Sequence, residues 1–337
     1  MATGEAVERR EADGPGAGEP CLCVTFLRAT ERAALAGARW LGRADREGAE
    51  EAAFSGMSAA LDLLPITGRV VIGAGDVDGP NLGGTVGAGG PEVDLALDPL
   101  EGRGVVARGG NGAISMIVVG DPGHLRKLPD MYMRTIAAGP RARGRISLLR
   151  PVGENVRAIA DAFERKAGDV TTIVLDRPRH HDLIEEIRAA GARIKLIQDG
   201  TVTAAISAAI RGTNDHLAIG IGGTRQAVLT AGALRCLGGE LQAQLWPTSR
   251  REIEAAREFG IEDVEQVFTT EDLASGEIIV AATGVSNGDL LRGVRFLADS
   301  ARTHSLVMCT RCNWVRFDDG IHFFARERRE EVRLLGF

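Results

Sequence analysis

Residues 171–197 read TTIVLDRPRHHDLIEEIRAAGARIKLI, and this stretch decides the fold class. The apolar runs 171–175 and 193–197 have the length and the β-branched composition that are typical of buried strands. Residues 181–190, which lie between them, carry apolar side chains at helical spacing. A strand, a helix and a second strand in this order predict a sheet that is covered by helices.

The same alternation continues on both sides of this unit. Toward the N terminus, the sequence predicts helices at 30–41, 47–64 and 154–166, and strands at 69–72, 93–97 and 113–119. Toward the C terminus, it predicts helices at 202–211, 226–237 and 249–259, and strands at 217–221 and 278–283. The chain is therefore predicted to be an α/β protein.

The length favours two lobes over a single core, since the chain has 337 residues. We place the boundary in the Gly/Pro stretch at 139–144, between an N-terminal lobe (23–145) and a C-terminal lobe (146–337). Residues 1–22 contain many charged residues, are rich in Gly and Pro, and lack an apolar run of signal-peptide length. We predict that they form a disordered leader.

The composition excludes several classes of protein. The residues are 44% hydrophobic, 26% charged and 4% aromatic, and the formal net charge is −6. No stretch approaches the roughly 20 apolar residues of a membrane span. The acidic balance and the few aromatic residues argue against nucleic-acid binding. These features predict a soluble cytoplasmic protein with no nucleic-acid or membrane partner.

One strand is followed by a glycine pattern that partly matches a dinucleotide-binding fingerprint. Residues 70–75 read VVIGAG, but Asp78 occupies the position of the third small residue. The next residues, 79–92, contain six glycines and two prolines, so no helix begins there. The pattern therefore does not predict a dinucleotide site.

Acidic residues cluster in the N-terminal lobe. The members are Asp76, Asp78, Asp94, Asp98 and Glu101. Pro99 fixes the backbone after Asp98, so that Asp98 and Glu101 can converge from one turn at the end of a strand. Converging carboxylates suit Mg²⁺ or Mn²⁺, which then binds phosphate oxygens. The residues alone leave a solvated acidic loop as the slightly favoured alternative.

Two strand-to-helix junctions in the C-terminal lobe carry residues that suit anions. Residues 176–181 read DRPRHH, and residues 220–224 read GIGGT. Arg177 and Arg179 could grip a phosphate beside a helix N terminus, and the bare amides of the glycine loop could hold an anion or a sugar. A capped, solvent-facing helix start explains the first junction equally well.

The five cysteines form an odd and widely spread set that does not predict a disulfide framework. Cys21 and Cys23 near one end, with Cys309 and Cys312 near the other, could supply four thiolates to a structural zinc ion if the chain ends meet. The spacing within the first pair is tight, and the sequence does not show whether the pairs are close. Buried or surface thiols are therefore the favoured interpretation.

Taken together, these motifs resemble the class II (GlpX-type) fructose-1,6-bisphosphatases, members of the lithium-sensitive, metal-dependent sugar phosphatases. The resemblance runs from about Phe26 to the C-terminal region. It rests on Asp94 and the segments TERAALAG (30–37), WLGR (40–43), VIG (71–73), DPLEG (98–102), PDMYM (129–133), RPRH (177–180), DG (199–200), GIGG (220–223), ATG (282–284) and GDLL (288–291). It implies a layered αβαβα sandwich and hydrolysis of the 1-phosphate of a ketose bisphosphate with Mg²⁺ or Mn²⁺.

The resemblance also implies roles for individual residues. The implied metal ligands are Glu50, Asp98, Leu100 and Glu101. The implied catalytic residues are Asp78, which orients water, Arg103, which contacts the reacting phosphate, and Arg46. The implied substrate-binding residues are Tyr132, Arg177, Arg179, Asp199, Gly222, Gly223 and Gln226.

The chain departs from the family pattern at the metal site. Ala74 replaces a metal-binding glutamate, Arg103 replaces a threonine that helps to activate water, and Gln226 replaces a glutamate. Because phosphate monoesters hydrolyse very slowly without catalysis, each loss could cost orders of magnitude in rate. Arg103 could instead lie where one metal would lie and pair with Asp98 or Glu101.

These departures leave several hypotheses open. The leading one is a sugar-phosphate enzyme, in its simplest form a fructose- or sedoheptulose-bisphosphatase, with fewer Mg²⁺ or Mn²⁺ ions than the family or none. A second is a catalytically impaired paralogue that binds phosphosugars or assembles with an active homologue. A third is an enzyme that acts on another phosphosugar in specialised metabolism. The resemblance further implies a homodimer or homotetramer.

Overall fold

The computed structural model describes residues 21–73 and 84–324, which form two β-sheets with helices on their faces. The larger sheet contains β1 (Thr67–Ile72), β2 (Thr85–Val86), β3 (Glu92–Glu101), β4 (Ile114–Gly120), β11 (Ile278–Gly284), β12 (Arg295–Phe296), β13 (Ser300–Cys309) and β14 (Trp314–Phe323). The smaller sheet contains β5 (Tyr132–Ala138), β6 (Thr171–Leu175), β7 (Arg193–Ile197), β8 (Leu217–Gly223), β9 (Glu240–Leu245) and β10 (Val267–Thr269). The helices are α1 (Leu27–Gly37), α2 (Arg46–Leu61), α3 (Arg103–Arg108), α4 (Val152–Ala162), α5 (His181–Ala189), α6 (Thr201–Ala209), α7 (Thr224–Leu237), α8 (Arg250–Glu258) and α9 (Thr270–Leu273).

Both sheets mix parallel and antiparallel pairs. In the larger sheet, β3 pairs in parallel with β1 and antiparallel with β4, and β4 continues to β11 and the hairpin of β13 and β14. In the smaller sheet, β5 lies antiparallel between β8 and β9, whereas β6 lies parallel to β7 and β8. The parallel β6, α5 and β7 are the unit that residues 171–197 predict.

The buried apolar residues show five layers, in the order α1 and α2, the larger sheet, α6 and α7, the smaller sheet, and α4 and α5. Strand β4 illustrates the arrangement. Its Ile117 and Val119 pack in the core with α1 and α2, while Met116 and Val118 pack in the core with α6 and α7. Because successive side chains of a strand point to opposite faces and both faces are covered, β4 is buried along its whole length. The predicted αβαβα sandwich is confirmed.

Each helix and strand that the periodicity predicts is present, with ends shifted by a few residues. One difference affects the candidate site: β3 continues to Glu101, where the sequence predicts a turn after residue 97. The register against β4 shifts between Asp98 and Glu101, and such an irregularity accommodates Pro99 in a strand. The sequence analysis did not predict α3, α9, β2, β5, β9, β10 or β12–β14.

The sheets are not built from consecutive parts of the chain. Strands β5–β10 form the smaller sheet, after which β11–β14 return to the larger one. The predicted boundary at 139–144 lies just after β5, inside the segment that forms the smaller sheet. The division into lobes stays a prediction, and the predicted leader falls almost entirely outside the described residues. Within the described ranges, no helix has both the length and the apolar character needed to cross a membrane.

One member of the acidic cluster, Asp94, joins two strands of the larger sheet. It is buried and faces Arg69 across the β1–β3 pair. Arg69 Nε donates to Oδ1 at 2.9 Å and Nη2 donates to Oδ2 at 3.1 Å, and the Gly123 amide donates to Oδ2 at 2.7 Å. The Asp94 carboxylate is therefore satisfied by protein donors and holds β1, β3 and the loop after β4 together.

We expect Arg69→Met to lower the free energy of unfolding by about 2 kcal/mol, because it leaves a buried carboxylate with one donor. Urea denaturation followed by circular dichroism measures this change. The matched control is Arg316→Met, which removes the exposed Arg316–Asp318 pair on β14 (2.8 Å). It should change the free energy by less than about 0.5 kcal/mol. Equal effects of the two substitutions would contradict the structural role of Asp94.

Candidate active site

The C-terminal end of β3 brings two carboxylates into the interior. Asp98 and Glu101 are 3% and 4% exposed. In a regular strand, residues three apart point to opposite faces, and the register shift between them allows the two carboxylates to lie close together. Gly102 ends the strand at φ +91°, where a Cβ atom would lie 3.0 Å from Val105, and α3 begins directly afterwards.

Glu101 has only half of its carboxylate satisfied. Its Oε1 accepts a hydrogen bond of 3.1 Å from the Val202 amide in the first turn of α6. Its Oε2 is buried and has no hydrogen-bond partner among the described residues. Burial, followed by the negative charges of Asp98 and Asp199, raises the pKa of Glu101 to about 8. Residues 74–83 lie outside the described ranges and are not counted among the neighbours of Glu101.

Asp98 is held by the start of α7. Gln226 Nε2 donates to Asp98 Oδ2 at 3.2 Å, and Arg225 Nε lies 3.4 Å from the same oxygen. Burial raises the pKa of Asp98, Arg225 and a hydrogen bond from the Leu100 backbone lower it, and Glu50 and Asp199 raise it further. Glu50 and Asp199 therefore belong to the same electrostatic cluster as the two carboxylates of β3.

Arg103 pairs with Glu50, not with Asp98 or Glu101 as its position in the sequence suggests. Its Nη1 lies 2.5 Å from Glu50 Oε2, across the contact between α3 and α2. The hydrogen bond and charge of Glu50 raise the pKa of Arg103. The guanidinium is more than half exposed, so its remaining donors are available to a bound anion.

The smaller sheet supplies an aromatic and basic group beside this cluster. Arg179 Cζ lies 5.1 Å from the centroid of the Tyr132 ring, and its Nη2 donates to the Ile221 carbonyl at 3.0 Å. Tyr132 pairs with Gly223 across β5 and β8, and a Cβ atom on Gly223 would lie 2.5 Å from Gln226 Oε1. Contacts therefore run continuously from Asp98 through Gln226 and Gly223 to Tyr132 and Arg179.

His180 fixes the backbone of this region. Its Nδ1 donates to the Leu175 carbonyl at 2.9 Å, and its Nε2 accepts from the Ile221 amide at 2.9 Å. Burial, followed by the nearby charges of Arg179 and Arg177, lowers the pKa of His180. A neutral, buried imidazole therefore ties the end of β6 to β8, next to Gly222 and Gly223 at the end of β8, where the sequence predicted a loop.

The remaining predicted site residues fall into different places. Arg177 is bound to main-chain carbonyls, with Nη2 2.5 Å from Gln198 O and Nη1 3.0 Å from Asp176 O. The Leu100 side chain packs in the core between α2 and the larger sheet, so only its main chain can serve a ligand. Arg46 is exposed at the start of α2, and none of the hydrogen bonds or ion pairs found in the described ranges involves it. Asp78 and Ala74 lie outside the described residues.

Arg225 is the site residue that sequence reasoning missed. Besides its contact with Asp98, its Nη1 donates to the Gly73 carbonyl at 3.2 Å, so it links α7 to the end of β1. Its position immediately before Gln226, at the start of a helix after a glycine loop, is the signal that could have identified it. Two arginines, Arg103 and Arg225, thus pair with carboxylates of the cluster.

Comparison with known proteins identifies the family. The model of the bacterial, glpX-encoded fructose-1,6-bisphosphatases matches residues 21–322. The chain belongs to this fructose-1,6-bisphosphatase family. The match extends over both sheets and over all the candidate site residues.

Curated relatives in this fructose-1,6-bisphosphatase family are similar over almost their full length. A protein of Synechococcus sp. (strain JA-3-3Ab), named D-fructose 1,6-bisphosphatase class 2/sedoheptulose 1,7-bisphosphatase, is 41% identical over 342 residues. That alignment covers 93% of this chain and 99% of the relative. A protein of the same name from Microcystis aeruginosa (strain NIES-843 / IAM M-2473) is 38% identical, with 94% of this chain and 100% of the relative covered.

Proposed function

We propose that the chain hydrolyses the 1-phosphate of a ketose bisphosphate, with fewer divalent cations than the family pattern provides for. Its membership of the fructose-1,6-bisphosphatase family supports the reaction class. The observation that carries the proposal is the unpartnered, buried Oε2 atom of Glu101 beside a second buried carboxylate, Asp98. The same family membership supports a homodimer or homotetramer as the working form.

The two buried carboxylates of β3 have the ligand chemistry of one hard cation. A buried carboxylate oxygen without a donor is energetically unfavourable, and Mg²⁺ or Mn²⁺ takes oxygen ligands of this kind. Asp98 and Glu101 would hold the ion, with the Leu100 main chain as a further ligand. Glu50 is held by Arg103, and its carboxylate does not form a ligand set with them in the described residues. When bound, such an ion lowers the pKa of a water molecule and neutralises charge on the phosphate.

Arginine side chains supply part of the positive charge that a larger number of metal ions would supply. Arg103 holds Glu50 and keeps exposed donors that can bind oxygens of the reacting phosphate. Arg225 offsets the negative charge of Asp98. Both guanidinium groups stabilise negative charge, but neither generates hydroxide. The chain therefore still needs a metal cation for a fast reaction.

The arginine side of the site would hold the second phosphate. Arg179 is oriented by the Ile221 carbonyl and the Tyr132 ring, and the amides of Gly222 and Gly223 lie on the strand beside them. A guanidinium that is already oriented loses little freedom when it binds phosphate. This side therefore favours a bisphosphate over a monophosphate.

The test is phosphate release from fructose 1,6-bisphosphate and sedoheptulose 1,7-bisphosphate, with Mg²⁺ or Mn²⁺ added and with a chelator. We expect turnover that requires the cation, and fructose 6-phosphate as the product of the first substrate. In Arg179→Ala, KM should rise roughly 10-fold or more, because a charged hydrogen bond to the distal phosphate is lost. Release of the 6-phosphate, or equal turnover in chelator, would contradict the proposal.

A second function is favoured by the two arginine–carboxylate pairs and by Gln226. These contacts satisfy charges that metal ions would otherwise satisfy, as expected for a chain that binds phosphosugars without hydrolysing them. Isothermal titration calorimetry separates the two functions. Binding of fructose 1,6-bisphosphate without release of phosphate, across a panel of phosphosugars and both cations, would establish the binding paralogue instead.

A further inference from the structure

Four of the five cysteines meet at one place, although the two pairs are about 290 residues apart in the chain (|i−j| 288 and 289). Cys21 and Cys23 flank Leu22 at the start of the described chain, and Cys309 and Cys312 lie at the turn between β13 and β14. The four sulfur atoms all lie within 4.8 Å of one another. The two cysteine pairs, which the sequence could not show to be close, are therefore adjacent.

We propose that Cys21, Cys23, Cys309 and Cys312 bind one structural Zn²⁺ ion through four thiolates. The sulfur separations match such a site. A tetrahedral ion with zinc–sulfur bonds of about 2.3 Å has its ligands about 3.8 Å apart. The Cys21–Cys309 sulfurs are 3.7 Å apart and the Cys23–Cys312 sulfurs are 4.0 Å apart.

The local backbone is suited to the site. The Cys312 amide points at Cys309 Sγ, 3.4 Å away, and amide donors of this kind hold a metal-bound thiolate in orientation. Asn313 follows with φ +51°, which closes the turn directly after the second cysteine of the pair. Both cysteines of the Cys-x-x-Cys motif therefore face the same point from one tight hairpin.

The surroundings favour a closed, structural site over a catalytic one. Cys23 and Cys309 are buried, while Cys21 and Cys312 are half-buried. The cluster packs against Leu27, Val307, Ile279 and Trp314, all of which are without ligand atoms for a metal. Four protein ligands leave no open position for water or substrate, which is typical of structural zinc.

The separations also favour a single ion over an iron–sulfur cluster. Cysteines that hold a polynuclear cluster bind different iron atoms and are spread further apart than the ligands of one ion. A tetrahedral set of four sulfurs on one ion is typical of zinc. A single iron in the same site is an outcome that the experiment below distinguishes.

The ion would link the segment from Cys21 to Val24 to the β13–β14 hairpin of the larger sheet. The segment from Cys21 to Val24 precedes α1, whose residues form part of the core under the larger sheet. Binding to the folded state alone stabilises it by mass action. Removal of the ion should therefore loosen the contact between this segment and the β13–β14 hairpin.

The experiment is metal analysis of the full-length protein, purified under reducing conditions without a metal-affinity column and dialysed against EDTA. We expect one zinc ion per chain. Cys312→Ser and the double variant Cys309→Ser/Cys312→Ser should lose it. The matched control is Cys236→Ser, because Cys236 lies outside the cluster and its sulfur contacts the Ile278 carbonyl at 3.5 Å. Asp98→Asn should also retain the zinc, since it changes only the carboxylate site.

Three further measurements use the unsubstituted chain and do not depend on how the variants fold. A mercurial reagent that titrates thiols should release zinc in step with four cysteines, detected with a chromophoric chelator. Replacement of zinc by Co²⁺ should give the intense thiolate-to-cobalt absorption of a tetrahedral site. Loss of the ion should lower the melting temperature by about 5 °C or more.

Three results would overturn the proposal. The first is a folded, fully reduced chain with zinc well below one per chain after growth in zinc-supplemented medium. The second is disulfide bonds among the four cysteines in the protein as purified. The third is one iron per chain in place of zinc. None of these results would affect the phosphatase assay, which tests a different set of residues.

Discussion

Replacement of Asp98 by asparagine is expected to lower kcat/KM for phosphate release by at least about 100-fold. The substitution keeps the size of the side chain but removes one of the two buried carboxylates that would hold the cation. It also leaves Arg225 and the Gln226 amide without the anion that they face. The measurement is phosphate release from fructose 1,6-bisphosphate over a range of Mn²⁺ concentrations.

The matched control is Asp319→Asn, which neutralises a mostly exposed carboxylate on β14 that pairs with Arg292. This control should keep kcat/KM within about 2-fold, because exposed ion pairs contribute little. Circular dichroism and the melting temperature show whether each variant is folded. A folded Asp98→Asn enzyme with unchanged activity and unchanged Mn²⁺ dependence would show that the carboxylates of β3 do not hold the catalytic cation.

Gln226→Glu is expected to tighten binding of Mn²⁺ roughly 10- to 100-fold. Gln226 now donates to Asp98, so a carboxylate at this position places a further negative charge beside Asp98 and Glu101. Without a cation, this repulsion should lower the melting temperature. A divalent ion would offset the repulsion, so added Mn²⁺ should restore the melting temperature and raise kcat at low Mn²⁺. Differential scanning fluorimetry with and without EDTA measures the first effect, and phosphate release measures the second.

The control for Gln226→Glu is Gln242→Glu on β9. Gln242 Nε2 also donates to a carboxylate, Glu240, at 2.8 Å, but it does so outside the candidate site. The control should lower the melting temperature without any rescue by Mn²⁺. If both variants respond alike to Mn²⁺, the effect is general charge screening, and the interpretation of Gln226 as a substituted metal position is wrong.

Local sequence patterns predicted most of the layered architecture. Apolar runs such as residues 171–175 and 113–119 are buried strands because they are apolar on both faces, as strands between two helix layers must be. The proximity of Asp98 and Glu101 was also predictable, because only two residues separate them in the chain. The backbone conformation between Asp98 and Glu101 was not predictable, because the register shift that brings them together depends on the neighbouring strand β4.

The partners of the site residues could not be predicted in the same way. Arg103 lies two residues after Glu101, yet it pairs with Glu50 on α2, because α3 begins immediately after Gly102 and carries the side chain outward to α2. Arg225 reaches both Asp98 and Gly73 because α7 lies between the two sheets. The direction of a helix relative to distant strands leaves no periodic signal in its own sequence.

The sequence by itself determined the α/β class, the acidic strand end, the arginine-bearing helix starts and the family resemblance. Each of these depends on residues close together in the chain, where spacing and backbone preferences act directly. The contacts of Gln226 with Asp98 and Gly223, and the meeting of cysteines about 290 residues apart, are visible only in the tertiary structure. The physical reason is that such contacts arise from burial of shared apolar surface between distant segments, which short-range patterns do not encode.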